Sequence, residues 1–381
     1  VMSTIKSYIE VSPKEAIKIV VGMYESSIKQ NTNMPNFLFT GPKGIGKTEI
    51  SKEIAQIIKM RCLVIDAPNF DISDGGIPMP NGDGTVSFLP NKDYNLHIDE
   101  PQLIVIDEGL KAGNMASAAF NPLLAQGEKY FGGIKVHSKC VIILTGNMPE
   151  EGLGDVLHDH TNNRIVALHL KSPTTEEWVE NFAIVNNAHP VVMAYATRTP
   201  QIFQSYKDLA EGESNTRIWN KKIKNKGVSV CTPRSMFEAS GIMYAYTDGH
   251  ISLRMLEATL EGCIGVTASR EMVTFLKHYK EIPTPEAIRE NWRTAVQPSN
   301  ASGQMLVAMA ALTWVQDADD LDKFIQYITQ PNFMSTEGVA VFMTQAAKPK
   351  KDLNAPLFKA TTRSAHFQKW VVDNRHLFSN Q

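Results

Sequence analysis

The chain has 381 residues, 43% of them hydrophobic and 20% charged, which excludes a disordered or fibrous protein and leaves room for a full apolar core and two or three domains. Lys plus Arg number 38 against 40 Asp plus Glu, a formal net charge of −2, so no global field draws the chain to nucleic acid or anionic lipid, and any such grip has to be local. The four cysteines, Cys62, Cys140, Cys231 and Cys263, are scattered without C-x-x-C spacing, as expected of reduced core thiols in a cytosolic protein.

Val1 before Met2 reads as a processing remnant, and the residues that follow lack a basic-then-apolar secretory pattern. Ser12-Pro13-Lys14-Glu15 is a capping box with proline at the first helical position, and Ile17, Val20, Val21, Tyr24 and Ile28 form the apolar face of the helix it starts. Phe37-Leu38-Phe39 is a short apolar run of the kind that forms a buried parallel strand. It leads into Gly41-Pro42-Lys43-Gly44-Ile45-Gly46-Lys47-Thr48, which fits the phosphate-binding loop G-x-x-x-x-G-K-[ST]. Ile50, Ile54, Ile57 and Ile58 then recur at helical spacing. Glycines let backbone N–H groups approach phosphates, the helix dipole adds positive potential, Lys47 supplies an ammonium for the β- and γ-phosphates, and Thr48 a hydroxyl for Mg²⁺.

Cys62 to Asp66 reads as another buried strand, and the segment Asp71 to Pro90 as an insertion whose Asn81-Gly82-Asp83-Gly84 signals a hairpin turn. Leu103-Ile104-Val105-Ile106-Asp107-Glu108 is an apolar strand ending in two carboxylates, the pattern called Walker B. Asp107 is expected to hold Mg²⁺ and Glu108 to orient and deprotonate the attacking water. Lys129 to Lys139, with Gly132-Gly133 at its centre, predicts a second hairpin just before the strand Val141 to Asn147. Asn147, a polar amide ending a buried strand, is the candidate for positioning water or sensing the γ-phosphate. Strands and helices alternate from about Asn36 to Ser172, the pattern of a doubly wound parallel sheet.

Beyond Pro173 the pattern turns helical, with Ser252 to Leu260 and Glu271 to Tyr279 as periodic segments and Gln297 to Gly303 as a loop or linker. The expected division is 1–173 for an N-terminal helix and α/β nucleotide-binding core, 174–290 for a helical lid, and 291–381 for a helical C-terminal extension. The apolar stretch Leu306 to Val315 is too short to cross a bilayer, so no membrane insertion is expected. The Met-rich run Met305 to Met309 reads as core. Asp155, His158, Asp159 and His160 have metal-ligating chemistry but read as a hydrogen-bonded surface loop, and Arg217, Lys221, Lys222, Lys224 and Lys226 around Trp219 read as a solvated loop.

On the phosphate loop, the Walker B pair, Asn147 and the two insertions, the chain resembles the MoxR-like group of AAA+ ATPases, of phage or bacterial type, over nearly its whole length. The resemblance implies an α/β P-loop AAA+ core with a parallel sheet flanked by helices, a helical lid and a helical C-terminal region. It implies ATP and Mg²⁺ as ligands, a homo-oligomeric ring, expected to be a hexamer, and insertions that line a central pore. Arg164, in Asn163-Arg164 before the run Ile165 to Leu170, resembles the arginine finger that reaches a neighbour's γ-phosphate. Arg234, in Thr232-Pro233-Arg234-Ser235, resembles the sensor 2 arginine of the lid. Glu261 to Ala268 and the tail around Phe367 to Trp370 also resemble the group. The implied function is an ATPase that remodels or activates a partner protein, such as one with a von Willebrand factor A domain, in a bacterial or phage-infected cytoplasm. Two alternatives remain open. One is a DNA- or RNA-dependent ring motor, for which Lys129, Lys135, His137 and Lys139 give the second hairpin basic character while the first is acidic. The other is a nucleotide-gated scaffold with little turnover, against which Glu108 argues.

Overall fold

A computed structural model describes residues 9–112, 114–125, 127–147, 164–220, 228–279, 281–331, 333–347 and 356–375. The chain divides into two compact units, Val1–Ser172 and Pro173–Gln381.

The first unit is built on a six-stranded sheet. Its strands are β1 (Glu10–Val11), β2 (Asn36–Gly41), β3 (Arg61–Asp66), β6 (Gln102–Asp107), β9 (Val141–Asn147) and β10 (Ile165–Leu170). They run parallel in the order β1-β10-β2-β9-β6-β3. The central strands are near-continuous apolar runs because both faces are covered. Alternation along the strands divides the core in two. Phe37, Phe39, Leu103, Val105, Val141 and Ile143 meet Ala16, Val20, Ile50 and Ile54 of the helices α1 (Pro13–Gln30) and α2 (Lys47–Ile57) on one face. Leu38, Ile104, Ile106, Ile142 and Leu144 meet Phe120, Leu123 and Leu124 on the other. The expected architecture is the one observed: an α/β core with a parallel sheet flanked by helices, followed by a helical C-terminal region.

The capping box of α1 forms as expected, Ser12 Oγ accepting from Glu15 N and Glu15 Oε2 from Ser12 N. Several expectations need correction. Ile28 and Ile57 are about half exposed at 49% and 48%; each sits in the last turn of its helix, where Ser27 and Ala55 take the inward positions. Cys62 to Asp66 is not a fully buried strand, because β3 ends the sheet and alternates exposed with buried residues. The Walker B strand ends at Asp107, and Glu108 leaves it with left-handed backbone, φ 51°.

Both insertions are antiparallel hairpins as expected: β4 (Ile77–Pro80) with β5 (Val86–Leu89), and β7 (Lys129–Phe131) with β8 (Ile134–Val136). They touch through glycines. A Cβ on Gly132 would lie 2.3 Å from the backbone of Gly75, and one on Gly133 would lie 2.5 Å from the Phe88 ring. Phe131 anchors the second hairpin, its ring stacked on Phe120 at 6.0 Å and tilted against Phe70 at 5.5 Å.

The second unit is helical around one apolar core that includes residues from Trp178 to Phe367, on both sides of position 290. The helix Ala301–Trp314, capped by Asn300, starts inside the expected linker and is buried nearly all round, Met309 included, while Met305 is partly buried. Arg217 pairs with Glu271, which also accepts from Tyr195 Oη at 2.7 Å, and Trp219 packs edge-on to Tyr206. Part of the segment expected to be a solvated loop is therefore built into the fold, while Lys221, Lys222, Lys224 and Lys226 lie outside the described residues. Among the described residues no helix is long and apolar enough to cross a membrane.

Candidate functional site

Parallel register brings the ends of β2, β9 and β6 to one edge of the sheet, with Gly41 opposite Asn147 and Asp107 one strand further on. Placing β9 between the phosphate-loop strand and the Walker B strand sets the candidate sensor between the groups it would read. This carboxyl edge is where open α/β sheets bind ligands.

Gly46 is the N-cap of α2, at φ 87°, a left-handed conformation that favours glycine. Having no side chain, it leaves the first-turn N–H groups pointing into the loop, the geometry that binds phosphate. Lys47 folds back over the loop: its Nζ donates to the carbonyls of Gly41 and Pro42, both at 2.9 Å, and to Asn147 Oδ1 at 3.2 Å. One ammonium thus spans the phosphate loop and the sensor strand. Asn147 itself is buried.

Thr48 Oγ1 donates to Asp107 Oδ1 at 2.9 Å, and Thr145 Oγ1 donates to the same oxygen at 2.5 Å. Two hydroxyls fix the carboxylate, and Thr48 and Asp107 form a compact set of hard oxygens. That set suits Mg²⁺, which takes one or two protein oxygens together with phosphates and water. Thr145 also accepts from Glu108 N at 3.0 Å, so it holds the turn that presents the candidate base. The Glu108 carboxylate is paired with Lys111 Nζ, one turn on.

Arg164 is not gathered into this site. It immediately precedes β10, its side chain is exposed, and Ile165 pairs in register with Asn36 at the start of β2. From there to Gly41 is five residues, roughly 16 Å along the strand, so Arg164 occupies the opposite edge of the sheet from its own phosphate loop. Arg234 belongs to the second unit, as the exposed second residue of the helix Pro233–Thr247, whose capping box joins Thr232 and Ser235. Asp155, His158, Asp159 and His160 lie outside the described residues, and among those described no group of three or more His, Cys, Asp or Glu is placed to hold a metal.

Sequence reasoning did not single out Thr145, Lys111, Asn36 or, as a buried group, Lys129. For Thr145 a signal existed: it is the hydroxyl two residues before Asn147 in an otherwise apolar strand, and period two puts both on one face.

No family model and no curated protein matches this chain. Among solved structures it is similar to Thermotoga maritima RuvB, described as a Holliday junction branch migration motor, with 15% identity over 74% of each chain and a TM-score of 0.39. A variant of the same protein gives 13% identity over 87% of this chain and 95% of that one, TM-score 0.41. Hsp104 of S. cerevisiae in an ADP complex gives 17% identity over 64% of this chain and 38% of that one, TM-score 0.36. At such identities and scores the site has to be read from its own geometry.

Proposed function

We propose that the chain is an Mg²⁺-dependent ATPase of the AAA+ type, MoxR-like by sequence resemblance, acting as a ring that remodels a partner protein. The observation that carries this reading is the meeting of Lys47, Asn147, Thr48, Asp107 and Thr145 at the ends of three adjacent strands.

In this reading the Gly41 to Thr48 backbone and Lys47 bind the phosphates, the ammonium exchanging its carbonyl partners for phosphate oxygens. Thr48 and Asp107 would hold Mg²⁺, whose charge would offset that of the phosphate oxygens. Glu108 takes a proton from water as its oxygen bonds to the γ-phosphorus and the bond to the β-γ bridging oxygen breaks, leaving ADP and phosphate. Asn147 positions that water. Arg164 reaches the site of the next subunit, as its place on the far edge of its own sheet suits, and there offsets transition-state charge. Residues 174–290 act as the lid, with Arg234 coupling it to nucleotide state, and 291–381 as an extension; a hexamer and a von Willebrand factor A domain client follow from the resemblance alone.

A protein client is favoured over nucleic acid by the hairpins. Lys129 is buried, Lys135 is paired with Glu128, Lys139 donates to Asn31 Oδ1 at 3.1 Å, and His137 lies 4.0 Å from Asp99, so the basic groups of the second hairpin are engaged within the fold. The first hairpin exposes Ile77, Met79, Val86, Phe88 and Leu89, which suit polypeptide better than phosphate.

The test is a pair of variants. Lys47→Ala should weaken ATP binding by roughly a hundredfold, whereas Glu108→Gln should bind ATP normally and hydrolyse it about a thousandfold more slowly. Ordinary ATP affinity in Lys47→Ala removes the phosphate-loop assignment, and turnover in Glu108→Gln unchanged from the parent removes Glu108 as the base and with it the objection to the scaffold reading.

A further inference from the structure

The amino edge of the sheet holds a buried polar cluster that the nucleotide chemistry does not use. Asn36, the first residue of β2, is 3% exposed. Its Nδ2 donates to the carbonyl of Leu124 at 3.0 Å and to that of Arg164 at 3.2 Å, and its Oδ1 accepts from Lys129 Nζ at 2.9 Å. Lys129 opens the second hairpin and is 5% exposed. A lysine carried inward on a hairpin strand loses hydration that apolar neighbours do not return, so its presence there calls for a reason. An ammonium on Oδ1 polarises the amide and strengthens what Nδ2 donates to the Arg164 carbonyl.

The cluster joins two parts of the chain that share no motif. One is the β7–β8 hairpin, anchored by Phe131 and pressed through Gly132 and Gly133 against the first insertion. The other is the backbone of Arg164, where β10 begins.

We infer that Lys129 and Asn36 are positioning residues for Arg164: they tie the backbone from which it is offered to a neighbouring subunit to the base of the second hairpin. This rests on the reading that Arg164 serves the neighbour's site. Displacing the hairpin then shifts Lys129, loosens the amide on the Arg164 carbonyl and slows hydrolysis next door, while ATP binding in the same subunit is untouched.

The experiment uses the full chain carrying Lys129→Met, assayed for ATP turnover alone and in equimolar mixture with Glu108→Gln, whose own site is silent but whose Arg164 is intact. The expected result is a fall in kcat of tenfold or more, about a hundredfold for a 1 Å misplacement, a KM for ATP within about twofold of the parent, and a several-fold regain of turnover in the mixture. Should Lys129→Met fold poorly, Asn36→Asp serves instead: it keeps a partner for Lys129 but removes the donor to the Arg164 carbonyl, and the same pattern is expected. An unchanged kcat overturns the inference, and so does a lost kcat that the mixture does not regain, since the damage then lies within the subunit's own site. Arg164→Ala mixed with Glu108→Gln separates the two levels. If that control regains turnover and Lys129→Met does not, the positioning role alone falls; if the control also fails, the shared site falls with it.

Discussion

The two edges of the same sheet carry polar clusters of opposite character. At the carboxyl edge Lys47, Thr48, Asp107 and Asn147 hold one another through bonds that a phosphate or a cation can replace, and the Lys47 ammonium rests on carbonyls of a loop. At the amino edge Asn36 and Lys129 are sealed, and their partners are a backbone carbonyl on either side and each other. Polarity within an apolar sheet thus has two uses: exchangeable partners serve ligands, and fixed partners serve geometry.

The largest effect is expected of Asn36→Leu. It strands a buried ammonium and strips two carbonyls of a donor, so unfolding free energy should fall by roughly 3–5 kcal/mol, read by denaturant titration, while ATP affinity holds. A loss below about 1 kcal/mol would show that the amino edge is not fixed; a collapse of ATP affinity would show that the edges are not separable.

The next test is alkaline stability. Burial lowers the Lys129 ammonium from 10.5 to about 8. Below pH 8 the lysine is protonated folded or unfolded, and the folded state carries the whole cost of burying the charge. Between pH 8 and 10.5 the unfolded chain binds more protons, so stability rises with pH, by about 2 kcal/mol at pH 9.5. Buried Tyr195 and Cys231, whose pKa values burial raises, keep their protons in the folded state and pull the other way in the same range. The measurable quantity is therefore the stability of the parent minus that of Lys129→Met, which should climb across this window. A flat difference would mean that Lys129 is not sealed.

The same contrast explains what the sequence made legible. The carboxyl edge is encoded locally: Gly41 to Thr48 is one loop, Asp107 and Asn147 each end an apolar run, and strand period and register bring them together. The two hairpins were equally plain from Asn81-Gly82-Asp83-Gly84 and Gly132-Gly133. Asn36 bonds to partners 88, 93 and 128 residues away, through two carbonyls and one amine. Backbone carbonyls leave no trace in residue identity, and Lys129 in a hairpin reads as a surface charge until packing buries it. Ile28 and Ile57 misled for a related reason: helical period assigns a face, but the last turn runs past the sheet it covers.

Returning to the carboxyl edge, Thr145→Val removes one hydroxyl that both donates to Asp107 and accepts from Glu108 N while keeping the side chain's shape. About 1–2 kcal/mol of positioning is lost, so turnover should fall roughly tenfold and the Mg²⁺ concentration for half-maximal activity should rise, with little change in melting temperature. An effect confined to stability would move Thr145 from the exchangeable cluster to the fixed one.

The smallest effect is expected at Lys111, whose ammonium holds the Glu108 carboxylate. Both side chains are partly exposed, at 29% and 44%, so the pair is screened and contributes little to folding. Its consequence is kinetic: a carboxylate engaged with an ammonium has to leave it before it can take a proton from water. Lys111→Met should therefore raise basal ATP turnover a few-fold in the absence of any client, at unchanged KM and melting temperature, and the rise should disappear in Lys111→Met combined with Glu108→Gln. If turnover instead falls, Lys111 assists the reaction rather than restraining its base, and the Glu108–Lys111 pair belongs with the groups that hold geometry rather than with those that exchange partners.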